Sequence, residues 1–94
     1  MLILKDFYST TCQPCKIMDN VINKLSINFP ELVIEKINIE ENKELTSEYD
    51  IQMVPTFVFF NNDLEIFRTS GAISPKTFEK IIQDCINKSK CLKN

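Results

Sequence analysis

Leu2-Ile3-Leu4-Lys5-Asp6-Phe7-Tyr8 leads through Ser9-Thr10-Thr11 into Cys12-Gln13-Pro14-Cys15, and the reading of this stretch decides the fold. Residues 2–8 alternate as a strand does, with Leu2, Leu4, Asp6 and Tyr8 on one face and Ile3, Lys5 and Phe7 on the other. After the cysteines, Ile17, Met18, Val21, Ile22 and Leu25 recur at helical spacing. The two thiols therefore open a helix and lie on one side of its first turn, within the roughly 4.4–6.8 Å between Cα atoms that a disulfide tolerates. Free N–H groups and the positive dipole end at a helix N-terminus favour a thiolate on the first cysteine. Pro14 suits a first-turn position, where its missing N–H costs nothing. The arrangement fits a bond that is repeatedly made and broken.

Two other uses of the cysteines compete with that reading. A purely structural disulfide closing so short a loop would restrain the unfolded chain by only about 2 kcal/mol, against about 4.7 for a hundred-residue loop. Metal binding needs four ligands; Cys85 and Cys91 could be recruited, but their gap is not that of a zinc ribbon, and the sequence has no histidine. No metal or other cofactor is expected beyond a redox-active Cys12–Cys15 disulfide.

Composition sets the outer bounds. Ninety-four residues with 44% hydrophobic content suffice for one modest core, and a single domain over residues 1–94 is expected. A net charge of −2 and a pI near 5.1 argue against nucleic acid as a partner. No apolar run reaches membrane-spanning length, and Lys5 and Asp6 interrupt the opening run before it could serve as a signal segment. One close cysteine pair among four is not a secreted disulfide framework, so a cytoplasmic protein is expected; a monomer is expected as well.

Beyond the first strand and a helix from Cys12 to about Phe29, stopped by Pro30, Leu32–Ile39 reads as a second, β-branched strand. Asn42–Tyr49 reads as a short polar helix with Leu45 and Tyr49 inward. Thr56–Phe60 and Leu64–Arg68 flank Asn61-Asn62-Asp63 as a hairpin, and Ser74 caps a last helix that begins at Pro75 and buries Phe78, Ile81, Ile82 and Cys85. The class is α/β: a mixed four-stranded sheet of order 2-1-3-4 flanked by three helices, with the first and last helix on one face and the short one on the other. Leu32–Ile39 is then an edge strand, on which Glu35, Lys36, Asn38 and Glu40 would discourage edge-to-edge pairing.

These residues, in this order, resemble the thioredoxin family over nearly the whole chain. Lys5-Asp6-Phe7-Tyr8 with Cys12-Gln13-Pro14-Cys15-Lys16 looks like its active-site strand and motif. Lys36-Ile37-Asn38-Ile39 resembles its second core strand, Val54-Pro55-Thr56 its cis-proline loop, and Gly71-Ala72 the loop before its last helix. The chain departs from the family in beginning after an N-terminal strand and helix, and in having Thr11 for a tryptophan, Gln13 for a glycine and Asn20 for a helix-kinking proline. Glutaredoxins, the nearest rival, place proline directly after the first cysteine, and Ser70-Gly71-Ala72-Ile73-Ser74 lacks their glutathione-holding pattern. A non-catalytic binding module of the same fold is the alternative from a different class.

The resemblance implies a protein-disulfide reductase, an electron carrier re-reduced by a thioredoxin-reductase-like donor and serving disulfide-containing clients, ribonucleotide reductase among the candidates. Cys12 is then the attacking, more exposed nucleophile and Cys15 resolves the mixed disulfide. Asp6 is the acid beneath Cys15 that relays its proton, and a carboxylate on an apolar face is costly without such a task. Lys36 and Tyr8 are candidate tuning residues. Thr11, Gln13, Val54, Pro55, Thr56, Gly71 and Ala72 would ring the cysteines as a substrate-contact surface, with the Val54–Pro55 bond cis. Cys85 reads as an inert core residue, and Cys91 as an exposed one in a polar tail.

Overall fold

The computed structural model describes residues 1–92, with side chains through residue 90. β1 (Leu2–Tyr8) is the strand around which the rest is arranged. It pairs in parallel with β2 (Leu32–Asn38), from Leu2↔Leu32 to Tyr8↔Asn38, and antiparallel with β3 (Thr56–Asn61), from Leu2↔Asn61 to Phe7↔Thr56. β4 (Leu64–Ser70) completes the sheet beside β3, in the order β2-β1-β3-β4. This is the expected thioredoxin arrangement, with β2 at an edge.

α1 (Gln13–Ser26) and α3 (Pro75–Leu92) pack on one face. Leu2, Leu4, Phe57 and Phe59 of the sheet meet Met18, Ile22, Phe78, Ile82 and Cys85 there. The Phe78 ring lies 5.1 Å from Phe57 and 6.2 Å from Phe59, and each such buried side chain contributes about 1.5–3 kcal/mol. The other face gathers Phe7, Ile37, Val58 and Phe60 under Leu45 of α2 (Lys43–Glu48) and the following Tyr49 and Ile51. The two-sided cover explains why all six residues of β3 are buried.

Several boundaries differ from the sequence expectation. Cys12 caps α1 rather than lying within it, and the helix ends at Ser26, not near Phe29. The N–H groups of Asn28 and Phe29 reach back to Leu25 and Ser26 (2.9 and 3.2 Å), a tightened turn that drops Phe29 into the core before Pro30. Ile17, assigned to the buried stripe, is 54% exposed, because it lies about 100° around the helix from Met18. The hairpin loop is only Asn62-Asp63, with Asn62 at φ +56°, and the strands run on to Asn61 and Ser70. A bulge moves the register from Phe59↔Phe67 to Phe60↔Glu65, so the neighbours Ile66 and Phe67 both pack against the α1–α3 core. α3 extends to Leu92, so the expected polar tail is helical; the expected exposure of Cys91 concerns a side chain outside the described residues. Asn38 is buried and accepts the Glu40 N–H at 2.8 Å instead of guarding the edge.

Candidate active site

Register brings the site together. Phe7 at the end of β1 pairs with Thr56 at the start of β3, and Thr56 pairs with Ser70 at the end of β4. The loops carrying Cys12, Pro55 and Gly71 thus leave the same end of the sheet. Gly71 donates its N–H to the Pro55 carbonyl at 2.9 Å and adopts φ +90°, a conformation glycine supplies without strain. The Ile73 N–H points at the Met18 sulfur (3.3 Å), tying that loop to α1. Glu40 accepts from both the N–H and the hydroxyl of Thr10, at 3.1 and 3.0 Å, which anchors the segment before Cys12.

Cys12 and Cys15 are joined in a disulfide, with their Cα atoms 5.2 Å apart. Cys12 occupies the N-cap, and its sulfur accepts the Cys15 N–H at 3.1 Å. That donor is one of the groups a helix start leaves unpaired, and it favours negative charge on Cys12 once the bond is reduced. Greater exposure does not distinguish the two: Cys12 is 9% and Cys15 7% accessible. Both cysteines are buried, so Cys12, expected to be the more exposed, exceeds Cys15 only marginally.

A cleft of about 340 Å³ adjoins Cys15 and is lined by Asp6, Tyr8, Ser9, Thr10, Lys16, Asp19 and Lys36 as well. Asp6 is buried at the end of the apolar stripe of β1, and burial raises its carboxyl to about 6, with Lys36 pulling down and Asp19 pushing up. Lys36, the expected tuning residue, is ion-paired with Asp19 while its charge also lowers the Asp6 carboxyl. Asp19 is the site residue that sequence reasoning missed. It stands four positions after Cys15, and that spacing alone puts it on the Cys15 side of the helix.

The expected contact residues divide by depth. Thr11, Gln13 and Ala72 are exposed, and Val54 and Gly71 are half-buried. The Val54–Pro55 bond is cis, as the resemblance implies. Pro55 and Thr56 are buried. The Thr56 hydroxyl lies 2.7 Å from the Met53 carbonyl and 2.8 Å from Ser70 Oγ, so it braces the loop from below. Cys85 lies in the core, where burial pushes its thiol up to about 11, a state that makes a poor nucleophile. Among the described residues no group of three or more cysteine, aspartate or glutamate side chains could hold a metal ion, and no helix is long and apolar enough to cross a membrane.

Residues 1–84 match the family model described as Thioredoxin. The chain is 30% identical to Thioredoxin-1 of Caenorhabditis elegans over 82 residues, covering 87% of this chain and 71% of that one. It is 37% identical to Thioredoxin AMT13 of Alternaria alternata over 82 residues, covering 87% and 69%. The crystal structure of mitochondrial thioredoxin 3 from Saccharomyces cerevisiae, in its oxidised form, superposes with a TM-score of 0.81 at 32% identity, covering 88% of this chain and 77% of that one.

Proposed function

The chain belongs to the thioredoxin family, a thiol–disulfide oxidoreductase acting on disulfide-containing proteins, and on that premise we propose that Cys12 attacks, Cys15 resolves and Asp6 takes the Cys15 proton. The Cys12 thiolate attacks one sulfur of a client disulfide; a Cys12–client bond forms, and the other client sulfur leaves as a thiolate. Cys15 then gives its proton to Asp6 and attacks Cys12 Sγ. The Cys12–Cys15 bond forms and the second client thiolate departs, so two electrons have passed to the client. Donation of the Cys15 N–H to Cys12 Sγ is the observation that carries this assignment, because it stabilises charge on Cys12 alone. The redox equivalents reside in the cysteine pair itself.

The test is turnover of a disulfide-bonded protein with dithiothreitol as donor. Cys12→Ser is expected to abolish turnover, and Cys15→Ser to leave a mixed disulfide on Cys12 detectable by mass spectrometry. Normal turnover by Cys12→Ser would overturn the assignment.

The contact surface in this reading is Thr11, Gln13, Val54, Gly71 and Ala72 over Pro55 and Thr56, with Tyr8 and Lys36 tuning the cleft. An extended client segment would pair with the main chain at Val54, which suits many clients because it ignores their side chains. Electrons enter from a thioredoxin-reductase-type donor, and ribonucleotide reductase is a candidate client by family analogy. Cysteine usage favours a reducing, cytoplasmic setting, and the chain acts as a monomer in this reading. Recovery of the native protein in a soluble cytosolic fraction, sedimenting as one chain, is the expected result.

A further inference from the structure

Asp6 and Lys36 are partners across the parallel β1–β2 pair, so their side chains leave the sheet on the same face. The register alone would give the buried carboxyl its counter-ion. Instead the Lys36 ammonium is engaged by Asp19 of α1, at a position where both side chains are partly open to solvent. Asp6 takes part in no ion pair among the described residues. We propose that Asp19 is a positioning residue that holds Lys36 at the rim of the cleft and thereby sets the pH range over which Asp6 ionises. Its effect on disulfide exchange rests on the proton-transfer role given to Asp6 above.

The groups facing Asp6 are few and their signs are known. β1 contributes Tyr8; α1 contributes Cys15, Lys16 and Asp19; β2 contributes Lys36; and β3 pairs Phe57 with Asp6. Asp19 acts on Asp6 in two ways of one sign. Its own charge opposes a second carboxylate nearby, and its hold on Lys36 keeps the compensating cation at a distance. Burial is the largest influence raising Asp6, Lys36 opposes it and Asp19 adds to it. With Lys36 fully committed to Asp6, the carboxyl would stay ionised and make a weaker proton acceptor for a thiol.

The reduced protein, with its Asp6 carboxyl carbon followed by NMR across pH, separates these effects. Asp19→Asn is expected to lower the Asp6 midpoint by about half a pH unit or more, and Lys36→Met to raise it. In the Lys36→Met background, Asp19→Asn should shift the midpoint less than in the natural chain, since only its direct field is left to remove. An unmoved midpoint in Asp19→Asn, or equal shifts in the two backgrounds, would overturn the proposal. The rate at which Cys15 resolves a preformed Cys12 mixed disulfide is read against pH on the same proteins. A moved Asp6 midpoint with an unmoved rate profile leaves Asp19 in control of Asp6 and removes the proton-transfer role instead.

Discussion

Asp6 carries the clearest conflict between stability and chemistry in the molecule. It follows Leu2 and Leu4 on one face of β1, is 5% exposed, and has a carboxyl raised from 3.8 to about 6 chiefly by burial. A carboxyl raised on folding binds its proton more tightly in the native state. Stability is therefore unaffected below about pH 4 and falls as pH rises towards about 6, by at most about 3 kcal/mol. Asp6→Asn is expected to remove that fall: urea unfolding at pH 4 and at pH 7.5 should differ less than in the natural chain, with a gain at pH 7.5. Equal pH dependence in both proteins would show that the carboxyl is not desolvated as the structure places it. The acid was legible in the sequence because it interrupts an alternating apolar face. Asp19 was not singled out, because spacing puts it on the Cys15 side but gives it no partner until β2 brings Lys36 against it.

β2 shows how an element at the sheet edge is kept from pairing further. Val33 and Ile34 are apolar, and Val33 is exposed, so the strand would invite another edge but for its charges. Glu35 is ion-paired with Lys5 at 3.0 Å, and the same ammonium lies 5.6 Å from the centroids of the Tyr49 and Phe60 rings. Lys5 is thus held over the aromatic cover of the second core, which accounts for a lysine on an inner strand. Glu35→Val would leave three apolar residues in a row at positions 33–35 and free Lys5; the expected outcome is concentration-dependent association in sedimentation velocity with the monomer fold retained. A strictly monomeric variant at high concentration would mean that the Glu35 charge is not what prevents pairing. The elements themselves were readable from periodicity, turn residues and the three prolines at helix boundaries, Pro14, Pro30 and Pro75. The bulge opposite Phe59 and Phe60, the early end of α1 and the length of α3 were not. Each is decided by a tertiary contact that local pattern does not encode: Ile66 and Phe67 against the core, Phe29 dropping inward, and Ser89 Oγ bonded to Asn61 Oδ1 at 2.9 Å beneath the last turns of α3.

At the scale of the whole molecule, the redox pair sits at the end of a structure that does not depend on it. Strand order was legible because a right-handed βαβ unit followed by a hairpin leaves few alternatives, and that order sends the three site loops to one end of the sheet. Both cores are built from residues outside the Cys12–Cys15 loop: the larger joins β1, β3, α1 and α3, and the smaller joins β1, β2, β3 and the α2 region. The disulfide closes a loop with a sequence separation of only three, which restrains the unfolded chain by about 2 kcal/mol. Against a typical domain stability of about 5–15 kcal/mol, that leaves the reduced protein folded. Thermal and urea unfolding with and without dithiothreitol should therefore both be cooperative, with the reduced form weaker by no more than about 2 kcal/mol and its near-ultraviolet dichroism unchanged apart from the disulfide contribution. Loss of cooperativity on reduction would mean that the bond holds the fold together. A thiol–disulfide oxidoreductase that passes through both states in every cycle needs the opposite, a scaffold indifferent to the bond it makes and breaks.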